Sequence, residues 1–285
     1  MLLQSALGTT PALAAAKQQL RQQMKQRLAS LPADAVAEQS AAVFRALVRF
    51  PPFVDARRVA VFLSMPAAEV QTDAIVRHAL AAGKQVFVPY LHKPGPNLLR
   101  AGTETGTGTD STNPYVPPRV MDMVQLHDAA DYEALARDRW GIPSVAPSSV
   151  HTRCRVLGDG DESGSGSGSG SASASSPAAP LSLDLILLPG VAFDVDPATR
   201  RVHRCGHGRG FYDYFLQRYA LKMAASSLSE PSSSSPLRPI QLYGLALTEQ
   251  LLPAHSVPTD PHDQPLDGLI TGDGTVVIPE LESQT

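Results

Sequence analysis

Cysteine is nearly absent: Cys154 and Cys205 are the only two in 285 residues. Their spacing neither chelates a metal nor builds the even-numbered disulfide framework of small secreted domains, so a reducing compartment is expected. A charge excess is also missing. The 24 Lys and Arg against 27 Asp and Glu give a formal net charge of −3, which argues against recognition of nucleic acid or a membrane surface driven by charge. No apolar run approaches the roughly 18 residues that a membrane-spanning helix needs. The N-terminus does not combine a basic region, an apolar stretch and a small-residue cleavage site. Acidic residues are absent from the first 33 positions, where Lys17, Arg21, Lys25 and Arg27 are the only charges. That bias suits a transit peptide, so mitochondrial import stays open beside the expected cytoplasmic residence.

What is present is enough apolar material, 43% of the chain, for a sizeable core. Three stretches are too biased in composition to belong to it: 93–118 (Pro, Gly, Thr), 158–180 (Gly, Ser, Ala) and 224–238 (Ser, Pro). They read as flexible insertions in one α/β domain spanning 12–285, because such tracts bury too little apolar surface to offset their ordering entropy. Leu13, Leu20, Met24, Leu28 and Leu31 form one stripe of a helix over 12–31, with Lys17, Arg21 and Lys25 at i, i+4 beside it. A second helix is expected over 34–49, stopped by Pro51-Pro52. The run Arg58–Met65 reads as a buried strand, 73–82 as a helix closed by Gly83, and 86–90 as a strand. Strand, helix and strand in this order make a right-handed βαβ unit and imply a parallel sheet. Further strands are expected at 121–126, 183–188, 241–247 and 266–271, a helical turn at 131–137, and a helix at 211–219.

The chemistry concentrates in Arg204-Cys-Gly-His-Gly-Arg-Gly-Phe-Tyr-Asp213, just before a helix. Glycines at alternate positions let backbone N–H groups converge on one concavity, and a helix N-terminus adds a positive dipole end, so the segment suits an anion. Arg204 and Arg209 offer planar donors for phosphate oxygens, and Asp213 a carboxylate for a phosphate-bound magnesium ion. The spacing is not the Walker pattern, since no Gly-Lys-Ser/Thr follows. It is not read as a dinucleotide-binding fingerprint either, because the loop is not expected to follow a strand directly. By itself the segment is equally compatible with a basic glycine-rich turn on a solvated face.

Its neighbours add to this. The sequence Asp184-Leu-Ile-Leu-Leu-Pro-Gly-Val-Ala-Phe-Asp194 followed by Arg204–Asp213 resembles the hallmark of the 5-formyltetrahydrofolate cyclo-ligase family. Ala16-Lys-Gln-Gln-Leu-Arg21, Phe62-Leu-Ser-Met65 with Glu69 behind it, Val86-Phe-Val-Pro89, Met121-Asp-Met123, Trp140-Gly-Ile-Pro143 and His262-Asp-Gln-Pro-Leu-Asp267 appear in family order. The resemblance covers nearly everything but the three biased stretches. It implies a three-layer α/β sandwich with a mostly parallel central sheet. It also implies conversion of 5-formyltetrahydrofolate to 5,10-methenyltetrahydrofolate through a phosphorylated formyl group, with ATP as co-substrate, Mg2+ as cofactor, and release of ADP and phosphate.

Carried over residue by residue, the resemblance puts Lys17, Arg21, Arg204, Cys205, Gly206, His207, Gly208, Arg209 and Gly210 on ATP. Arg204 and Arg209 would stabilise the moving phosphoryl charge, and Asp213 and Asp263 would hold magnesium. Leu63, Met65, Glu69, Trp140 and Tyr212 match positions of the folate pocket. Cys205 stands where leucine is usual and reads as packing, His207 occupies a variable position, and Phe211 replaces the first of two tyrosines. A monomer is expected, with no nucleic-acid or membrane partner. Two other classes are weighed. A folate- or nucleotide-binding protein without turnover would have lost a phosphate or metal residue, and none is lost; a sugar-phosphate isomerase on a similar scaffold would need no ATP.

Overall fold

The computed structural model describes residues 10–95, 98, 116–158, 181–229 and 239–278. The central parts of the three biased stretches lie outside these.

Helix α1 (Pro11–Ala29) starts where Thr10 accepts the Leu13 N–H at 3.3 Å and Pro11 fills the first turn, where its missing N–H costs nothing. It buries Met24 and Leu28, and the same face carries Lys17 and Arg21, in the turns before Met24, to Asp263 and the Gly206 carbonyl. Helix α2 (Ala33–Leu47) follows, burying Val36, Val43 and Leu47. Helix α2 ends at Leu47, two residues before the expected 49, and Pro51 opens the short helix α3 (Pro51–Asp55) instead, since proline is preorganised for a first helical position.

Strand β1 (Arg58–Val61) is shorter than the run to Met65 suggested. Beyond Val61 the Thr72 side chain satisfies the backbone that a neighbouring strand would otherwise satisfy: its hydroxyl donates to Phe62 O at 2.8 Å and accepts the Ser64 N–H at 3.2 Å. Helix α4 (Asp73–Ala81) ends at Gly83, whose φ of +74° is the left-handed cap that glycine adopts without a steric cost. Strands β2 (Gln85–His92) and β3 (Val120–Gln125) pair antiparallel. Helix α5 (Ala129–Glu133) lies earlier than the turn expected at 131–137, because Asp128 caps it by accepting the Asp131 N–H at 2.8 Å. A small hairpin, β4 (Ala136–Arg137) with β5 (Pro143–Ser144), carries Trp140 at its tip.

The remaining elements are β6 (Leu185–Leu188), β7 (Ala192–Val195), β8 (Val202–Cys205), α6 (Phe211–Ser229), β9 (Gln241–Ala246), β10 (Gly268–Thr271) and β11 (Val276–Val277). Seven strands form the central sheet in the order β11-β10-β9-β6-β1-β2-β3, antiparallel only at its two edges. Alternate side chains separate two apolar layers. Val59, Val61, Leu185 and Leu187 pack under α1 to α4, while Ala60, Ile186 and Leu188 pack with Phe215, Leu216 and Tyr219 of α6. This is the expected three-layer α/β sandwich.

Two expectations are corrected. Helix α6 continues to Ser229, so the first part of 224–238 is helical. The glycine-rich loop does follow a strand directly: β8 ends at Cys205, antiparallel to β7. That hairpin is turned by Asp196, whose carboxylate accepts the Ala198 N–H and the Thr199 hydroxyl, each at 2.8 Å. Such an Asx turn is the signal that would have revealed it.

Candidate active site

The chain leaves β1 toward β2 and leaves β6 toward β9, on opposite sides, although β1 and β6 are parallel neighbours. In open α/β sheets the crevice outside the carboxyl ends of such a strand pair receives the ligand. Here those ends are Val61 and Leu188. The segments that emerge from them, 62–72 and 189–210, hold most of the candidate residues.

At one end of the crevice lies the glycine-rich loop. Gly208 and Gly210 have φ of +88° and +64°, and a Cβ on Gly208 would stand 3.0 Å from Arg21 Cζ. Any larger residue at 208 would be strained and would push the guanidinium away. Arg21 Nε donates to Gly206 O at 2.8 Å, fastening α1 to the loop. One turn earlier Lys17 Nζ meets Asp263 Oδ2 at 2.5 Å, with side chains only 12% and 27% exposed. Asp263 Oδ2 also accepts the Asp260 N–H at 2.7 Å.

Arg204 is the most enclosed of the cations. Its side chain is 4% exposed and donates to Asp213 Oδ1 at 2.8 Å; its Nε is buried with no partner among the described residues. Asp213 occupies the first turn of α6, and Gln264 N–H reaches the same Oδ1 at 3.3 Å. The two aspartates therefore stand on adjoining segments. Arg209 is exposed and makes no hydrogen bond or ion pair among the described residues. Desolvation lowers the His207 pKa, and Arg21 and Arg204 lower it further. Burial raises the Cys205 thiol pKa, and its place opposite Ala192 in the hairpin fits the packing role.

At the other end the surroundings are apolar. Leu63 and Glu69 are buried and Met65 half-buried. Burial pushes the Glu69 carboxyl up to about 7, against the lowering effect of the Met65 N–H that donates to it. Gln71 Nε2 donates to Met65 O at 3.0 Å and Glu69 O at 2.9 Å, closing the loop on itself. Tyr212 stands between the two ends. The Arg204 guanidinium lies 5.6 Å from its ring centroid, and desolvation raises its hydroxyl pKa, with Arg204 lowering it and the Glu69 charge raising it. Trp140 is on the rim, 62% exposed, with Arg139 stacked at 5.3 Å. A Cβ on Gly141 would come within 2.7 Å of Pro66 Cγ, so the Trp140 turn rests directly on the 62–72 segment.

A model described as the 5-formyltetrahydrofolate cyclo-ligase family matches residues 13–156 and 163–272. The chain belongs to this family. This cyclo-ligase converts 5-formyltetrahydrofolate to 5,10-methenyltetrahydrofolate. Among its relatives, a Caenorhabditis elegans protein named probable 5-formyltetrahydrofolate cyclo-ligase is 28% identical over 92% of this chain and 95% of that one. The Saccharomyces cerevisiae 5-formyltetrahydrofolate cyclo-ligase is 26% identical over 92% and 98%. The solution structure of the Aquifex aeolicus 5,10-methenyltetrahydrofolate synthetase shares the fold, with a TM-score of 0.55 and 19% identity over 94% of this chain and 95% of that one.

Three side chains that sequence reasoning passed over support the cyclo-ligase crevice. Buried Asp194 accepts the Val257 N–H at 2.8 Å and pairs with His203 at 3.1 Å, joining the hairpin to the segment that leads to Asp263. Asp260 donates its N–H to Asp263 and accepts the His262 N–H at 3.0 Å. Gln250, also buried, donates to Gly190 O at 2.6 Å and fixes the turn after β6. Asp194 ends the hallmark run, and Asp260 stands two positions before the His262 whose N–H it accepts, an Asx-turn spacing. Nothing local marked Gln250.

Proposed function

We propose that the conversion is driven by ATP with magnesium and passes through a phosphorylated formyl group. The formyl oxygen attacks the γ-phosphorus, and the bond from that phosphorus to the bridging oxygen breaks to release ADP. Nitrogen 10 then attacks the activated carbon and loses its proton, and phosphate departs with the C–O bonding pair to leave the methenyl bridge. Such transfer needs little covalent chemistry from the protein and much positioning and charge neutralisation.

The observation that carries this reading is Arg204. Its guanidinium is bonded to Asp213 at the phosphate end and stacked on Tyr212 at the folate end, so it reaches the place where γ-phosphate and formyl oxygen would meet. Around it, Lys17, Arg21 and Arg209 would hold the phosphate chain, with the backbone of Cys205, Gly206, His207, Gly208 and Gly210 as the cradle. Leu63, Met65, Tyr212 and the rim Trp140 would take the flat pterin. Glu69, pushed up to about 7 by burial, keeps a substantial protonated population at neutral pH, and that form offers the ring system a hydrogen bond that an ionised carboxylate cannot donate.

Magnesium fits the donor set. Asp213 and Asp263 each engage one oxygen and leave Oδ2 and Oδ1, respectively, without a partner among the described residues. Two such carboxylates suit an ion that keeps phosphate oxygens and waters as its other ligands. When bound, the ion would neutralise β- and γ-phosphate charge.

The test follows methenyltetrahydrofolate absorbance with 5-formyltetrahydrofolate, with and without ATP and magnesium. Product formation that needs both supports the reading, and turnover without ATP overturns it. We assign the chain to a cytoplasmic, reducing setting as a single-domain monomer. Both cysteines are free thiols, which suits a reducing compartment.

A further inference from the structure

The phosphate end contains its own counter-ions. Each carboxylate proposed for the metal is already bonded to a cation proposed for the phosphates: Asp263 to Lys17 at 2.5 Å, and Asp213 to Arg204 at 2.8 Å. Resting on the proposed phosphate and metal roles, we infer that nucleotide and magnesium enter by ion-pair exchange, Lys17 and Arg204 leaving Asp263 and Asp213 for phosphate oxygens as the freed carboxylates take the metal.

The physical case is one of charge and desolvation. Lys17, Arg21, Arg204 and Arg209 face two carboxylates, so the ligand-free end carries a modest positive excess. Metal-free ATP, with about four negative charges, would overfill that excess and leave Asp213 and Asp263 facing phosphates in a partly desolvated crevice. Magnesium removes two of those charges at the place where repulsion would be greatest. Conversely, the metal alone, even at the unpartnered oxygens, must compete for each carboxylate's charge with a cation that is itself 12% or 4% exposed. Without phosphate that cation would be left desolvated and unpaired. Each ligand therefore relieves the cost of binding the other, and by linkage the coupling is reciprocal.

This gives predictions of opposite sign for variants that a simple contact model would treat alike. Asp263→Asn keeps an oxygen to accept the Asp260 N–H but removes the negative charge that holds Lys17. It should bind metal-free ATP, measured by calorimetry on the full chain in EDTA, on the order of 5-fold more tightly than the parent. In saturating magnesium the same variant should bind nucleotide several-fold more weakly, so the preference for the magnesium complex collapses. The mirror experiment uses Mn2+ as the probe, followed by its electron paramagnetic resonance signal with no nucleotide. Lys17→Met should bind Mn2+ more tightly than the parent, because Asp263 is released.

Loss of metal-free ATP affinity in Asp263→Asn, or no gain of Mn2+ affinity in a folded Lys17→Met, would overturn the exchange. If instead Lys17→Met leaves ATP affinity unchanged both in EDTA and in magnesium, Lys17 does not contact phosphate and the underlying site reading fails. Because the two gains are read on different variants by different methods, misfolding of one leaves the other decisive.

Discussion

The two ends of the crevice meet at Tyr212 yet solve opposite problems. At the phosphate end charge is dense and mutually satisfied: Lys17 with Asp263, Arg204 with Asp213, Arg21 with a loop carbonyl. At the folate end one carboxyl, Glu69, stands buried among apolar side chains with a single backbone donor. A ligand entering the first end must replace partners that already exist. At the second it supplies what the protein lacks. The first should therefore answer to ionic composition and metal, the second to proton concentration.

Arg209 offers the sharpest break at the phosphate end. It alone of the four cations has no partner in the ligand-free chain among the described residues, so its only proposed work is on the nucleotide. Arg209→Lys replaces a rigid two-pronged donor with one mobile charge. Turnover at saturating ATP and folate should fall on the order of 10²-fold. An unchanged turnover number would return Arg209 to the solvated surface.

A smaller effect is expected when the metal carboxylates are changed singly. Asp213→Asn and Asp263→Asn should each raise the magnesium concentration needed for half-maximal turnover by roughly tenfold, with the folate KM little altered. The double variant should lose less than the product of the two, since both act on one ion. Magnesium titrations of the four forms at fixed ATP decide it; fully multiplicative losses would separate the two residues.

At the folate end the readout is stability against pH. Burial holds the Glu69 carboxyl at about 7 against 4.5 for an ordinary one. The folded chain therefore binds this proton more tightly than the unfolded chain does. The contribution is intact below about pH 4.5 and is lost as pH rises toward 7, reaching about 3 kcal/mol in all. Glu69→Gln carries no such proton. Its Tm relative to the parent should rise between pH 5 and pH 8 in ligand-free thermal melts. Parallel profiles would mean that Glu69 is hydrated and ionised like a surface acid.

The smallest change is expected far from both ends. Deleting the Ser-Gly tract at 163–176 should leave turnover nearly unaltered, since each halving of a loop changes closure entropy by only about 0.6 kcal/mol. A large fall in turnover with an unchanged Tm would give the tract a role at the crevice and blur the contrast between site and insertion.

Much of this was legible in one dimension. The apolar stripe of α1, the β1-α4-β2 unit and the strands at 185–188 and 241–246 follow from periodicity and β-branched content. The hairpin before the glycine-rich loop was not, because its strands are four residues long and their turn lacks glycine. Arg200 takes the positive φ of +57° instead. The start of α6 was clear and its end was not. Ser226 and Ser227 resemble the linker beyond, yet the helix carries on through them to Ser229, with the Ser226 hydroxyl donating to Lys222 O at 3.0 Å.

By itself the sequence determined the fold class and which residues are candidates for the chemistry, since strand and helix periodicity, glycine spacing and paired arginines are properties of local chain. What only the tertiary structure decided is who holds whom before any ligand arrives. Lys17 and Asp263 lie 246 positions apart, and no periodicity links them. They meet because α1 packs beside the hairpin while the segment after β9 wraps back across it, through Leu252 on Phe193 at 2.8 Å and Leu266 on Val202 at 2.8 Å. Burial likewise set the character of Glu69. The same carboxyl on a solvated helix would be fully ionised at neutral pH, and the desolvation that raises its pKa is a property of the packed crevice around it.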